Sequence, residues 1–141
     1  MSFTTRIVVR FADIDWARVV YFARYFDFAH RAFEDFWNAQ PELDYGTLLG
    51  ERRIGFPIVH SEGQFFGPLR LGDTARVVMD VTRLTKKSVT SRFTIFRNES
   101  DEKLAVITLK QAAIDSHHFK PMEYPDDLHA SLAAHVVAEP G

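Results

Sequence analysis

"RFADIDWARVVYFARYF", Arg10 to Phe26, sets two aspartates, Asp13 and Asp15, against the most aromatic segment of the chain. Up to Val20 the stretch has no regular pattern. From Phe22 a period appears: Phe22, Tyr25, Phe26, Ala29, Phe33, Phe36 and Trp37 recur every three or four residues, which draws one apolar stripe along a helix. Arg24, Asp27, Arg31, Glu34, Asp35 and Asn38 fall on the opposite face. Asp27 with Arg31, and Arg31 with Asp35, stand four apart and can pair, each pair contributing a few tenths of a kcal/mol. The spacing predicts a helix over 22–38 that stops before Pro41. Its broad aromatic stripe puts it at the centre of the core.

Outward from that helix the period changes to two. Before it, "RIVVRF" (Arg6–Phe11) alternates and is β-branched, which predicts a strand. After it, "LDYGTLLGERRIGF" (Leu43–Phe56) reads as a short helix closed by glycine. Pro57–Pro68, Asp73–Thr85, Ser88–Arg97 and Lys103–Asp115 then read as strands. Val77, Met79 and Val81 alternate with Arg76, Asp80 and Thr82, as they would in an antiparallel sheet with one wet face. The connectors "RLGD", "TKK" and "NESDE" are short, so these four strands are expected to pair as a meander. Pro121–Pro125 leads to a last helix with Leu128, Leu132 and Val136 on one side. A one-faced sheet must bury that face, and 22–38 is the long apolar helix available to cover it. The expected fold is α+β, an antiparallel sheet of about five strands wrapped around one central helix.

The totals narrow the class. A chain of 141 residues without repeat, linker or low-complexity segment is expected to form a single domain over 1–141. Hydrophobic residues at 46% and charged residues at 26% fit neither disorder nor a membrane-embedded protein. A net charge of −2 offers no basic surplus for nucleic acid. There are no cysteines, which removes disulfides, thiolate nucleophiles and Cys-based metal sites. No apolar run reaches the roughly 18 residues that span a bilayer. "MSFTTRIVVRF" has neither an apolar h-region nor a small-residue cleavage site, so no membrane partner and a cytoplasmic location are expected.

Asp13 and Asp15 admit two readings. Each is a common cap or turn residue, and each is also a carboxylate placed at the lip of an apolar segment. His117 and His118 do not suggest a metal, because neighbours on an extended chain point opposite ways and no third ligand stands at a sensible spacing.

The order of elements, the pattern D-x-D-x-A-x-V-V-Y (Asp13 to Tyr21) ahead of an aromatic helix, "FPIVHSEGQFFGPLRLGD" (Phe56–Asp73) and "TKKSVTSRF" (Thr85–Phe93) together resemble the hotdog-fold acyl-CoA thioesterases, in their 4-hydroxybenzoyl-CoA thioesterase-like branch. The resemblance runs from about residue 6 to about residue 115. It implies hydrolysis of an acyl- or aryl-CoA thioester to free acid and CoA. Asp15 would be the nucleophile or general base, and the helix N-terminal amide at Phe22 would polarise the carbonyl. Lys86, Lys87 and Ser88 match positions that contact the CoA nucleotide, and no cofactor is implied beyond the CoA of the substrate. Tyr21 and Tyr25, at the start of the helix, would line a substrate pocket. His60 would line the acyl pocket, with a hydrogen-bonded structural role equally open. A single sheet with exposed edge strands invites pairing between copies, so a homodimer or homotetramer is expected, and the resemblance places the active site between protomers.

One position departs from the family. Arg18 stands where a glycine is usual, in the turn before the helix, and glycine tolerates φ > 0 and close approach of a ligand. Either the turn differs here, or Arg18 reaches the pocket and binds a carboxylate or polar substituent on the acyl group. Two other readings stay open: a non-catalytic acyl-CoA binder, and a hotdog hydratase or dehydratase.

Overall fold

Helix α1 (Phe22–Asn38) occupies the span that its aromatic period predicts. In the computed structural model, which describes residues 1–137, its buried face carries Tyr25, Phe28, Ala29, Ala32, Phe33, Phe36 and Trp37. The stripe is therefore turned from the expected one: Phe28 and Ala32 join it, Phe26 is half-buried and Phe22 faces outward. Asp27 pairs with Arg31 (3.2 Å) as its spacing allows. Asp35 instead accepts from the Thr5 hydroxyl (2.7 Å), which ties the helix to the first strand.

The main sheet contains β1 (Phe3–Val8), β3 (Ile58–Phe65), β4 (Thr74–Leu84), β5 (Ser88–Arg97) and β6 (Lys103–Ala112). Its order is β1-β4-β5-β6-β3, antiparallel throughout. Alternate residues Val77, Met79, Val81, Phe93, Ile95, Ile107 and Leu109 form the buried face, against which α1 lies. Burying one such side chain stabilises the fold by about 1.5–3 kcal/mol, so this layer supplies most of the drive to fold. A helix lying across one face of an antiparallel sheet is the α+β architecture expected.

The pairing corrects the four-strand meander. Only β4, β5 and β6 follow one another in space; β3 pairs with β6, from Ile58↔Gln111 to Phe65↔Ala105, and becomes an edge. The reason is that β3 stops at Phe65, well before Pro68, which leaves Phe66–Asp73 free to cross the end of the sheet. Strand β1 is also earlier than expected. The chain leaves the sheet after Val8 because Phe11–Asp13 forms a 3-10 turn whose Asp13 carboxylate accepts the Arg10 N–H (2.9 Å).

Smaller elements close the ends. Helix α2 (Tyr45–Leu49) is capped by Asp44 and stopped at Gly50. The stretch expected as one strand over Lys103–Asp115 breaks at Ala113. Its end, β7 (Ile114–Asp115), joins β2 (Ile54–Gly55) and β8 (Lys120–Pro121) in a second small sheet. In α3 (Asp126–Ala133), Leu128 and Leu132 are buried, whereas Val136 lies past the helix and bridges Val81. Residues 138–141 of the expected domain lie outside the described ones. Among the described residues, no helix is long and apolar enough to cross a membrane.

Candidate active site

The two aspartates of the opening segment take different roles. Asp13 is buried: its carboxylate holds the Arg10 N–H and its carbonyl accepts the Tyr21 N–H (3.0 Å). It fixes the chain just before α1. Asp15 is exposed at the head of a tight turn. Its carbonyl accepts the Arg18 N–H and its own N–H donates to the Val19 carbonyl, both at 2.9 Å. Its Oδ1 accepts the Ala17 N–H (2.8 Å). The turn thus fixes the Asp15 carboxylate by local bonds, as the turn-residue reading expects.

Arg18 closes this turn with φ 65°, in the left-handed region. The turn does not differ from one that glycine would make; arginine has been put into glycine's conformation. The strand-like bridge Ile14–Val20 then returns the chain toward the sheet.

Helix α1 begins immediately afterwards. Tyr21 is its N-cap, in extended geometry and with no side-chain cap. Its carbonyl accepts the Arg24 N–H (2.8 Å). Phe22 is the first helical residue, so its N–H has no intrahelical acceptor and sits at the positive end of the helix dipole. The Phe22 ring is 58% exposed and meets Phe65 edge-on at 6.4 Å and Tyr21 at 4.9 Å. Tyr25 lies beneath this surface. It is buried, meets Phe65 at 5.4 Å, and its hydroxyl accepts the Leu69 N–H (3.0 Å). Burial pushes its phenol above the ordinary range. Trp16, next to Asp15, is 99% exposed.

The remaining expected site residues stand elsewhere in the chain. His60 is at the other end of β3 from Phe65. It is exposed, 3.8 Å from Glu62, in a shallow groove with Thr90 and Lys110 on the outer face of the sheet. Lys86, Lys87 and Ser88 form the β4–β5 turn. Thr85 Oγ1 accepts the N–H groups of Lys87 (3.3 Å) and Ser88 (3.0 Å), while the Lys86 and Lys87 carbonyls hold Tyr124 and Ala113. Strand β4 runs 11 residues from the Asp15 end of the sheet to this turn, roughly 35 Å of extended chain. One chain therefore keeps Asp15 and Phe22 at one end and Lys86–Ser88 at the other.

His117 and His118 lie on a turn, not on the extended chain expected of them. Their rings touch at 4.6 Å, and His118 Nδ1 is 2.9 Å from Asp115, whose carboxyl this contact holds below its usual range. Among the described residues, no group of three or more His, Asp or Glu is placed to hold a metal.

Two residues at this end escaped the sequence reading. Phe65 sits within a quoted motif, but its contact with the helix start depends on where β3 pairs, which no local pattern carries. Arg97 reads as the last residue of a strand, and nothing in its spacing signals its contacts with Pro68 and Asp73.

A family model described as the thioesterase-like superfamily matches residues 9–132. The chain belongs to the thioesterase-like superfamily. Similar members include a 1,4-dihydroxy-2-naphthoyl-CoA hydrolase from Thermosynechococcus vestitus. It is 33% identical over 124 residues, 88% of this chain and 84% of the relative. A second, of the same name, from Crocosphaera subtropica, is 31% identical over 108 residues, covering 76% and 78%. Among solved structures, a 1,4-dihydroxy-2-naphthoyl-CoA thioesterase from Synechocystis superposes with TM-score 0.85 at 25% identity, covering 94% of this chain and 96% of that one. The fold is the hotdog fold, and the chemistry of this superfamily member is hydrolysis of a CoA thioester.

Proposed function

We propose that this chain hydrolyses an aryl-CoA thioester of the 1,4-dihydroxy-2-naphthoyl type at sites shared between two copies. The observation that carries the reading is the Asp15 turn: a carboxylate aimed by the Ala17 N–H stands one short turn before the free amide of Phe22. A thioester needs both parts. The Phe22 N–H, helped by the helix dipole, takes up charge as the carbonyl oxygen becomes an oxyanion. The Asp15 carboxylate either attacks the carbonyl carbon, giving an anhydride that water opens, or removes a proton from an attacking water. In both routes the carbon–sulfur bond breaks and CoA leaves as the thiol.

The exposed rings of Tyr21, Phe22 and Phe65 give a planar acyl group an aromatic surface beside Asp15. Together with the printed substrate of the relatives, they support an aromatic acyl group. Lys86, Lys87 and Ser88 then meet the nucleotide of CoA.

A dimer is supported by the edge strand. Ile58, Val59 and Phe65 of β3 are exposed, and the strand has a partner on one side only. An unpaired edge of this kind invites a second copy. Two β3 strands related by a two-fold axis run antiparallel, so the Phe65 end of one copy meets the Ile58 end of the other. That exchange brings Asp15 of one chain toward Lys86–Ser88 of its partner, which the length of β4 forbids within one chain. A CoA thioester substrate and a cysteine-free chain both suit the cytoplasm.

The test is thiol release over a panel containing 1,4-dihydroxy-2-naphthoyl-CoA, 4-hydroxybenzoyl-CoA and straight-chain acyl-CoAs, with Asp15→Asn beside the native enzyme. Asparagine keeps the acceptor for Ala17 and removes the charge. The expected result is fastest turnover of the bicyclic substrate, and a loss in kcat of about 10²–10⁴ for Asp15→Asn. Native rates in Asp15→Asn, or preference for straight chains, would overturn the reading.

A further inference from the structure

The Asp15 turn and the first residue of α1 take their position from a neighbouring loop. The Val20 N–H donates to the Leu69 carbonyl (2.9 Å), and Val19 bridges Arg70. Both partners belong to Phe66–Asp73, the segment that crosses the end of the sheet and has no strand or helix of its own. Something else must hold that segment if the Phe22 amide is to stand still.

Arg97 holds it. This residue ends β5, a strand paired on both sides, and sits opposite Ala75 on β4. Its side chain is about one-fifth exposed and every face of its guanidinium is engaged. Nη2 donates to the Pro68 carbonyl at 2.5 Å. Nη1 donates to the Asp73 carboxylate. Nε donates to Glu102 at 2.9 Å. The same Asp73 oxygen also accepts the Arg70 N–H (2.9 Å), which closes the far end of the loop. On the other side, the Leu69 N–H donates to the Tyr25 hydroxyl (3.0 Å), one turn into α1. The Leu69 backbone is thereby gripped at its N–H by the helix and at its carbonyl by Val20.

We infer that Arg97 is a positioning residue for thioester hydrolysis: it locks Pro68–Asp73 to the sheet and, through the Leu69 carbonyl, sets where Val20, Tyr21 and the Phe22 amide stand relative to Asp15. The inference rests on the reading of Asp15 and Phe22 as the reacting groups. It needs an arginine specifically. A planar fork engages the Pro68 carbonyl and the Asp73 carboxylate together, and a lysine, with one point charge, satisfies one of them at a time. Arg97 itself meets no substrate, so its effect falls on the rate of the chemical step.

The experiment compares the native enzyme with Arg97→Met, Arg97→Lys and Glu102→Gln. It measures kcat and KM separately, and hydrogen exchange at the Val20 amide against amides in the centre of β5. Arg97→Met is expected to lower kcat about ten- to hundred-fold with KM within about twofold of native. Exchange should quicken at Val20 and not in the centre of β5. Arg97→Lys should fall between the two, and Glu102→Gln, which touches Arg97 and not the loop, should keep native kcat. Native kcat per folded molecule in Arg97→Met, or unchanged Val20 exchange, would overturn the inference. If Arg97→Met does not fold, Arg97→Lys decides: a several-fold loss of kcat with faster Val20 exchange supports it, and native values in both sink it. An inactive native enzyme would instead sink the reading of the site on which this rests.

Discussion

The N–H of Arg18 donates to the carbonyl oxygen of Asp15 at 2.9 Å, and Arg18 makes that bond from a left-handed backbone with φ 65°. An L-residue with a side chain sits there at a cost of about 1–2 kcal/mol. Glycine would relieve it, less the entropy that a glycine loses on folding, about 0.5–1 kcal/mol. Arg18→Gly should therefore raise the free energy of unfolding in urea by about 0.5–1 kcal/mol. A strained arginine in the same turn as the proposed Asp15 carboxylate makes sense if its charge is used. The same variant should then lose discrimination between acyl-CoAs with and without an acidic or hydroxyl substituent, read as the ratio of their kcat/KM values. An unchanged ratio would leave Arg18 with no part in substrate choice.

Gly63 decides the aromatic wall. A Cβ placed there would stand 3.0 Å from Ile107 Cδ1, 3.0 Å from Phe65 Cζ and 3.1 Å from Phe26 Cζ. Ile107 is buried and cannot give, so the half-buried Phe26 and exposed Phe65 rings must shift by a few tenths of an ångström. Gly63→Ala should destabilise the fold by about 1–3 kcal/mol through overpacking. Because Phe65 meets Phe22 edge-on, its displacement should raise KM for aryl-CoA more than for a short-chain acyl-CoA. Equal KM changes for both substrates would remove Phe65 from the acyl site.

What could be read from the sequence follows from what each signal measures. Period 3.6 over Phe22–Asn38 depends only on neighbours along the chain, and the helix bounds came out residue for residue. The strands were visible for the same reason, but their order was not. Pairing of β3 with β6 depends on where the chain stops being a strand, and "QFFGPLR" gives no break at Phe65 that differs from one at Pro68. The site split along the same line. Asp15 and Phe22 stand seven residues apart in one stretch, and their proposed roles come from the family pattern. Arg97 acts on Pro68 and Asp73 from across the sheet, and no local pattern carries that. Arg18 departs from the family's glycine in the sequence itself, while its left-handed φ is a property of the folded backbone.

The edge of β3 gives the next prediction. Val59 is exposed on this strand beside the register shift between Ile58 and His60. A lysine on an edge strand discourages pairing with another chain, because its ammonium would have to be desolvated in the new contact. Val59→Lys should shift the protein from dimer toward monomer in analytical ultracentrifugation. On the proposed shared site, which draws Lys86–Ser88 from a second copy, activity should fall with the dimer fraction. A monomer with native activity would show that one chain suffices. The fold of the monomer should persist, because the main core is built within one copy.

Alkaline pH should unfold the protein through its buried tyrosines, Tyr25, raised by burial as described above, and two more. Burial, with a smaller push from Glu34, raises Tyr45 to about 12. Burial also raises Tyr124, whose hydroxyl donates to the Gln111 carbonyl at 3.2 Å and must keep its proton to do so. In the unfolded chain these phenols ionise near their ordinary value of about 10. The folded state therefore holds these protons more tightly. The stability they contribute is complete below about pH 10 and is lost as pH rises through the folded-state value near 12. Urea midpoints should be flat from neutral pH to about 9.5 and then fall steeply. Tyr45→Phe removes one of these three protons from the linkage while keeping the ring that stacks on Phe56 at 5.9 Å. Its midpoint should fall less steeply with pH than the native one, with little change at neutral pH. An identical alkaline slope in Tyr45→Phe would mean that this phenol is as free to ionise in the folded state as in the unfolded one.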